Sequence, residues 1–130
     1  MGYLIVFIGA GFGGMARHAA NMAALRIFGS NGFPFGTLAI NVFGSMLLGI
    51  VIEYVALRYG ASPQVRLFLA TGVLGGFTTF SAFSLETVQL VERGQAGVAL
   101  VYVVSSVILS VGALFLAMLL FRAAFGIDAR

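Results

Sequence analysis

Cysteine, lysine and tryptophan are all missing from the 130 residues, proline occurs twice, and carboxylates number only four. Without cysteine there is no disulfide, no thiolate metal ligand and no thiol nucleophile. Without lysine, all seven basic residues are arginines standing singly, so there is no basic run to track a phosphate backbone and nucleic acid is excluded as a partner. The net charge of +3 reflects scarce acids rather than abundant bases. Charged residues make up 8% of the chain, about a third of the usual share, while 61% is hydrophobic. That leaves too little polar surface to wrap a water-soluble core, and the bilayer becomes the main solvent. Glycine (18) and phenylalanine (13) are what the chain has in excess.

The length suits a single domain, 1–130, and the uncharged stretches supply four candidate membrane helices of the roughly 20 residues a span needs. The first runs from Tyr3 to about Phe28 and contains Arg17. Gly29-Ser30-Asn31-Gly32-Phe33-Pro34 is turn chemistry, with Pro34 opening a second helix that reaches Leu57. Arg58, Gly60, Ser62, Pro63 and Arg66 mark another loop, a third helix continues to about Val91, and Gly94 to Phe121 forms the fourth, ending at Arg122. The Tyr3–Gly14 segment lacks the positive flank of a signal peptide, and Val6 stands where a myristoylation signal needs Ser or Thr. Arg58, Arg66, Arg122 and Arg130 fall on one side of the bilayer and Arg26 and Arg93 on the other. A bias that weak permits insertion in either orientation.

One motif is a decoy. Tyr3–Ile8 followed by Gly9-Ala-Gly11-Phe-Gly13-Gly14 fits a strand and the G-x-G-x-x-G dinucleotide fingerprint. That fold needs a carboxylate about 20 residues on, whereas the first acid is Glu53. Gly9 and Gly13 read instead as a small-residue face along which backbones approach closely.

Polar groups are costly in a membrane helix, so their faces are informative. Thr37, Asn41 and Ser45 recur every fourth residue on the second helix, as do Tyr102, Ser106 and Ser110 on the fourth, with Ser105 beside them. These stripes suit either helix-to-helix hydrogen bonding or a polar conduction track. In Gly75-Gly76-Phe77-Thr78-Thr79-Phe80-Ser81-Ala82-Phe83-Ser84, two glycines and two threonines predict an unwound turn. Its freed carbonyls are repaired by neighbouring hydroxyls or converge on a hard cation such as Na+. Phe80 and Phe83 share a face, either as core packing or as rings whose positive edges meet an anion. Donors and ring edges with no fixed charge at mid-span would bind a small anion weakly enough to release it. Arg17 shares the Gly9, Gly13 and Asn21 face, where it snorkels to an interface or lines a vestibule. Glu86 pairs with an arginine or marks a mouth, and His18 has no catalytic or metal-binding partners.

Three blocks together resemble the Fluc or CrcB family of small bacterial fluoride channels: Gly11-Phe-Gly-Gly-Met-Ala-Arg17, Gly36-Thr-Leu-Ala-Ile-Asn41-Val-Phe-Gly44, and Gly72 through Ser84. The resemblance implies an all-α protein of four transmembrane helices, broken in the third, that assembles as an antiparallel dual-topology homodimer with two pores. It implies multi-pass insertion in the bacterial cytoplasmic (inner) membrane and a structural, untransported Na+ on the two-fold axis, held here by the carbonyls of Gly75 and Thr78. The pore asparagine corresponds to Asn41, the paired pore rings to Phe80 and Phe83, the vestibule arginine to Arg17, and a lining residue to Thr37. Tyr102, Ser106 and Ser110 look like the polar track of the fourth helix, with Ile108 where some relatives are expected to carry a further hydroxyl.

The function so implied is passive, fluoride-selective export from the cytoplasm, which reduces fluoride toxicity. A proton-coupled small multidrug exporter shares the four-span dual-topology plan but needs a membrane-embedded carboxylate, and the first helix has none. A non-transporting assembly subunit would use the glycine faces for packing alone. A membrane enzyme is least supported, for no acid, base and nucleophile set is visible.

Overall fold

The computed structural model describes residues 1–30, 32–57 and 62–126. Asn31, Arg58, Gly60 and Arg130, invoked above for a turn, a loop and the charge balance, lie outside the described residues. The described residues are helical and contain no strand. Helix α1 spans Gly2–Phe28 and stops at Gly29, whose positive φ of 73° turns the chain while its N–H caps the Leu25 carbonyl. Helix α2 spans Phe35–Leu57 and starts one residue later than its proline suggests, with the Pro34 carbonyl accepting from Leu38 N–H at 3.2 Å.

The third helical unit is composite. Ser62 accepts a hydrogen bond from Val65 N–H and caps α3, Pro63–Arg66. This one turn runs into a π-helical segment, Leu67–Leu74, and then into α4, Gly75–Phe77. Thr78 and Thr79 are extended, and α5 resumes at Phe80–Glu92, with the Thr79 hydroxyl accepting from Ala82 N–H at 3.1 Å as its cap. The interruption thus falls at the threonines, two residues beyond the glycine pair. Both glycines stay helical, Gly76 packed directly on α1. Gly94 (φ 75°) makes the last tight turn, and α6 spans Ala96–Phe125. It continues through Arg122, where the sequence places its end, and closes at the left-handed Gly126.

Three helical units are long and apolar enough to cross a bilayer: Phe35–Leu57, Pro63–Glu92 taken across its break, and Ala96–Phe125. Helix α1, with Arg17, His18 and Asn21 inside it, is not among them, although its 27 residues would extend about 40 Å.

The elements pack in two parallel pairs. In one, α1 lies along the π segment and α4 with Gly2 beside Leu67, Gly9 beside Gly72 and Gly13 beside Gly76. In the other, α2 lies along α6, Gly49 meeting Leu114 and Ala117. The Gly9 and Gly13 face therefore serves close approach, and it does so inside one chain. A Cβ at Gly13 would run into the Val73 carbonyl oxygen, and one at Gly76 would stand 2.6 Å from the Ala10 carbonyl oxygen. Both obstacles are backbone and have little freedom to yield.

Gly13→Ala is accordingly expected to destabilise the protein by about 1–3 kcal/mol, the usual range for overpacking a tight contact. Gly11→Ala, where the added methyl meets nothing within 4 Å, should leave stability nearly unchanged. Thermal unfolding of the two variants in the same detergent checks the difference.

Candidate functional site

The parallel register of α2 and α6 turns the two polar stripes toward a shared boundary. Continued at the same four-residue spacing, Thr37, Asn41 and Ser45 lead to Gly49 and Glu53, while Tyr102, Ser106 and Ser110 lead to Leu114, Met118 and Arg122. The ends of both stripes meet. Glu53, 6% exposed, accepts two hydrogen bonds on Oε1 from Arg122, at 2.9 Å from Nε and 2.6 Å from Nη2. One ion pair thus neutralises both charges where the two stripes end.

At the opposite end, Glu86 of α5 links the stripes. Its Oε1 accepts from the Thr37 hydroxyl at 2.7 Å and its Oε2 from the Tyr102 hydroxyl at 2.6 Å. Thr37 and Tyr102 are almost wholly buried. Phe83 and Phe33 flank the Tyr102 ring at centroid distances of 5.2 and 5.5 Å, and Leu90 and Ala99 complete this small core. An acid within an apolar span must be partnered, which was the signal available in the sequence. Its partners could not be named without the register of α2 against α6.

Between these ends lies the helix break, and Asn41 closes it. Asn41 Nδ2 donates to the Thr79 carbonyl at 3.0 Å, and Asn41 Oδ1 accepts from Thr79 N–H at 2.8 Å. One side-chain amide thereby satisfies both backbone groups of a residue that has left the helical ladder. The diverted Thr79 N–H leaves the Gly75 carbonyl without its i+4 donor. The Thr78 hydroxyl turns back to the Leu74 carbonyl at 3.0 Å, and the Thr78 carbonyl accepts from Arg17 Nη1 at 3.2 Å. Arg17 thus lies on the break, half-buried, and His18 is exposed.

A cavity of about 340 Å³ opens beside the clamp, lined by Asn41, Thr79, Phe80, Phe83, Ser106 and Ser110 among others. Ser84, Thr87 and Ser105 each donate back to a carbonyl of their own helix. The buried hydroxyl oxygens of Ser106 and Ser110 differ, having no hydrogen-bond partner among the described residues. Phe80 stacks obliquely on Phe83 at 5.4 Å and is 78% exposed, so one wall of the cavity is a ring left largely uncovered. Of the residues singled out in the sequence, Asn41, Ser45, Gly75, Thr78, Phe80, Phe83, Ser106 and Ser110 border this one space. Thr37 lies apart, bonded to Glu86 with Tyr102, and borders a second cavity.

With this geometry in hand, comparison with known proteins is specific. Residues 4–118 match the family model described as "CrcB-like protein, Camphor Resistance (CrcB)". The chain is 62% identical over 122 residues to a protein of Granulibacter bethesdensis named fluoride-specific ion channel FluC, covering 94% of this chain and 95% of that one. It is 52% identical over 122 residues to FluC 2 of Nitrobacter hamburgensis, covering 94% and 98%. A FluC of Agrobacterium fabrum is 47% identical over 118 residues, covering 91% and 94%.

The Asn41 clamp makes a stability prediction independent of function. Asn41→Leu orphans both Thr79 backbone groups, and each such group costs about 1–3 kcal/mol when shielded from water. Ser45→Ala, one turn along the same stripe, should be nearly neutral. Thermal melts of the purified variants in detergent check the contrast.

Proposed function

This chain belongs to the CrcB family, and from that membership we propose that it is a fluoride-selective channel that passively releases fluoride from the cytoplasm. Its relatives are named as ion channels, and the protein is not an enzyme. The observation that carries the reading is the pair of unpartnered buried hydroxyls, Ser106 and Ser110, on the same cavity as the Asn41 amide and the Phe80 and Phe83 rings.

Fluoride is small and strongly hydrated, so a path through the bilayer must replace its water with close donors. Ser106 and Ser110 are free to turn O–H groups into the cavity. Asn41 retains one amide hydrogen beyond the one given to Thr79. Phe80 and Phe83 offer positive ring edges, which attract an anion without trapping it as an arginine would. Glu86, holding Thr37 and Tyr102, continues the polar line toward the other cavity.

We read the working unit as an antiparallel dual-topology homodimer in the bacterial inner membrane, with α1 as a fourth span. The 78% exposure of Phe80 at the cavity edge supports a second copy completing that wall. The weak arginine bias supports insertion in both orientations. The residues also fit a structural Na+. The Gly75 carbonyl has lost its helical donor, the Thr78 carbonyl at the break accepts from Arg17 Nη1 and keeps a second lone pair, and hard oxygens are what such a cation takes. These two carbonyls would hold the ion, which would supply fixed positive charge between two breaks brought face to face. No observation favours a proton-coupled exporter, because Glu53 is tied to Arg122 and Glu86 to two hydroxyls.

Protein reconstituted into liposomes should release fluoride under an imposed gradient, as followed with a fluoride electrode, and should release little chloride. Absent fluoride flux, or equal chloride flux, rejects the reading. Phe80→Ile is expected to cut fluoride flux at least tenfold while the dimer stays assembled on size exclusion; unchanged flux would reduce the ring to packing.

A further inference from the structure

The second cavity, of about 280 Å³, is walled by the loop after α1, the start of α2 and the end of α5, and Asn21, Thr37, Glu86, Gln89 and Arg93 give it its polar lining. Glu86 and Thr37 line this cavity, and Glu86 also holds Tyr102, which lies one helical turn from Ser106 of the serine-lined cavity. The hydrogen-bonded group thus borders this cavity and lies next to the other.

The charges on this lining are informative. Glu86 is an acid beside the line along which an anion would travel, and a carboxylate repels an anion unless a cation offsets it. Arg17, assigned to a vestibule by resemblance, does not line this cavity and has its Nη1 on the Thr78 carbonyl. Arg122 is held by Glu53. Arg93 is the basic residue that lines this cavity. It follows Glu86 by seven residues, two helical turns or about 10 Å along the same face of α5. Its side chain is exposed and forms no ion pair with a carboxylate among the described residues. A cation at a helix C-terminus is in part a complement to the helix dipole. That role requires neither a cavity nor the neutral donors of Asn21 and Gln89 beside it.

We propose that this cavity is the mouth through which a small hydrated anion enters from the side of the α1–α2 and α5–α6 turns, and that Arg93 gathers it there. The inference rests on the channel reading above and adds its entry site. Arg93 raises the local anion concentration and offsets the Glu86 carboxylate, while Gln89 and Asn21 offer neutral donors as water is shed. Because the guanidinium is exposed, its effect is long-range and screened by salt.

The test is fluoride current through the reconstituted protein at about 10 mM and about 1 M ionic strength, where the screening lengths are about 30 and 3 Å. The supporting salt carries a large impermeant anion. Arg93→Gln should lower the current roughly two- to fivefold in low salt and converge on the unaltered protein in high salt. Arg93→Lys should keep most of the current, and Arg93→Glu should fall below Arg93→Gln. The unaltered protein supplies a check that needs no variant: at fixed fluoride, its own current should drop by a similar factor as salt rises. Equal currents for Arg93→Gln and the unaltered protein at every ionic strength, or a loss on substitution that salt does not erase, would overturn the role of Arg93 alone. Absence of fluoride current from the unaltered protein would overturn the channel reading and this inference with it.

Discussion

The two hydrogen bonds between Asn41 and Thr79 are the contact on which the centre of this protein depends. A helix that breaks within a bilayer exposes an N–H and a carbonyl to a medium with no water to satisfy them. Here one amide from α2 answers both, at 2.8 and 3.0 Å. The break consequently costs little, and α5 leaves it at a fixed angle with the Thr79 hydroxyl as its cap. That places Phe80 and Phe83 on the cavity and Glu86 within reach of Thr37 and Tyr102.

Glycine and polar contacts divide the remaining work. Between α1 and the third helical unit, backbone meets backbone where Gly9 and Gly13 face Gly72 and Gly76. Between α2 and α6 it carries hydroxyls and charges, ending in the Glu53–Arg122 pair. The bilayer gives no hydrophobic reason for helices to associate. Close backbone contact holds one pair and buried polar contact the other, and the functional cavity lies along the polar pair.

Much of this could be read from spacing. Helix ends fell within a few residues of their turn signals, because Gly29, Ser62 and Gly94 act locally. The polar stripes were visible as four-residue repeats. What the sequence could not yield was anything set by register between distant segments. Asn41 was read as bridging helices or as donating into a track; that one of its amide hydrogens and its carbonyl oxygen go to Thr79 could not be read from spacing. The unwound turn was legible in the run of two glycines and two threonines, but not which of them would leave the helix: Gly76 packs on Ala10 and stays helical, and the interruption falls at Thr78 and Thr79. Arg17 is similar: its face was legible, its carbonyl partner 61 residues away was not. Glu86 was read as pairing with an arginine or marking a mouth; its hydrogen-bond partners are hydroxyls, Thr37 and Tyr102, on two other helices.

The π-helical segment Leu67–Leu74 has a wider consequence. Its i→i+5 turns hold one residue more than α-helical turns of the same pitch, so it shifts the angular phase of everything after it. Upstream, the third unit follows the glycine face of α1; downstream, Phe83 meets Tyr102 of α6. A uniform α-helix would bring those two faces into a different angular relation. In that sense the segment works as a phase shifter, letting one continuous span serve a packing surface and a cavity wall that lie on different sides. Length here carries information as identity does elsewhere: the residue count between Gly9's partner and Asn41's partner is part of what the sequence specifies.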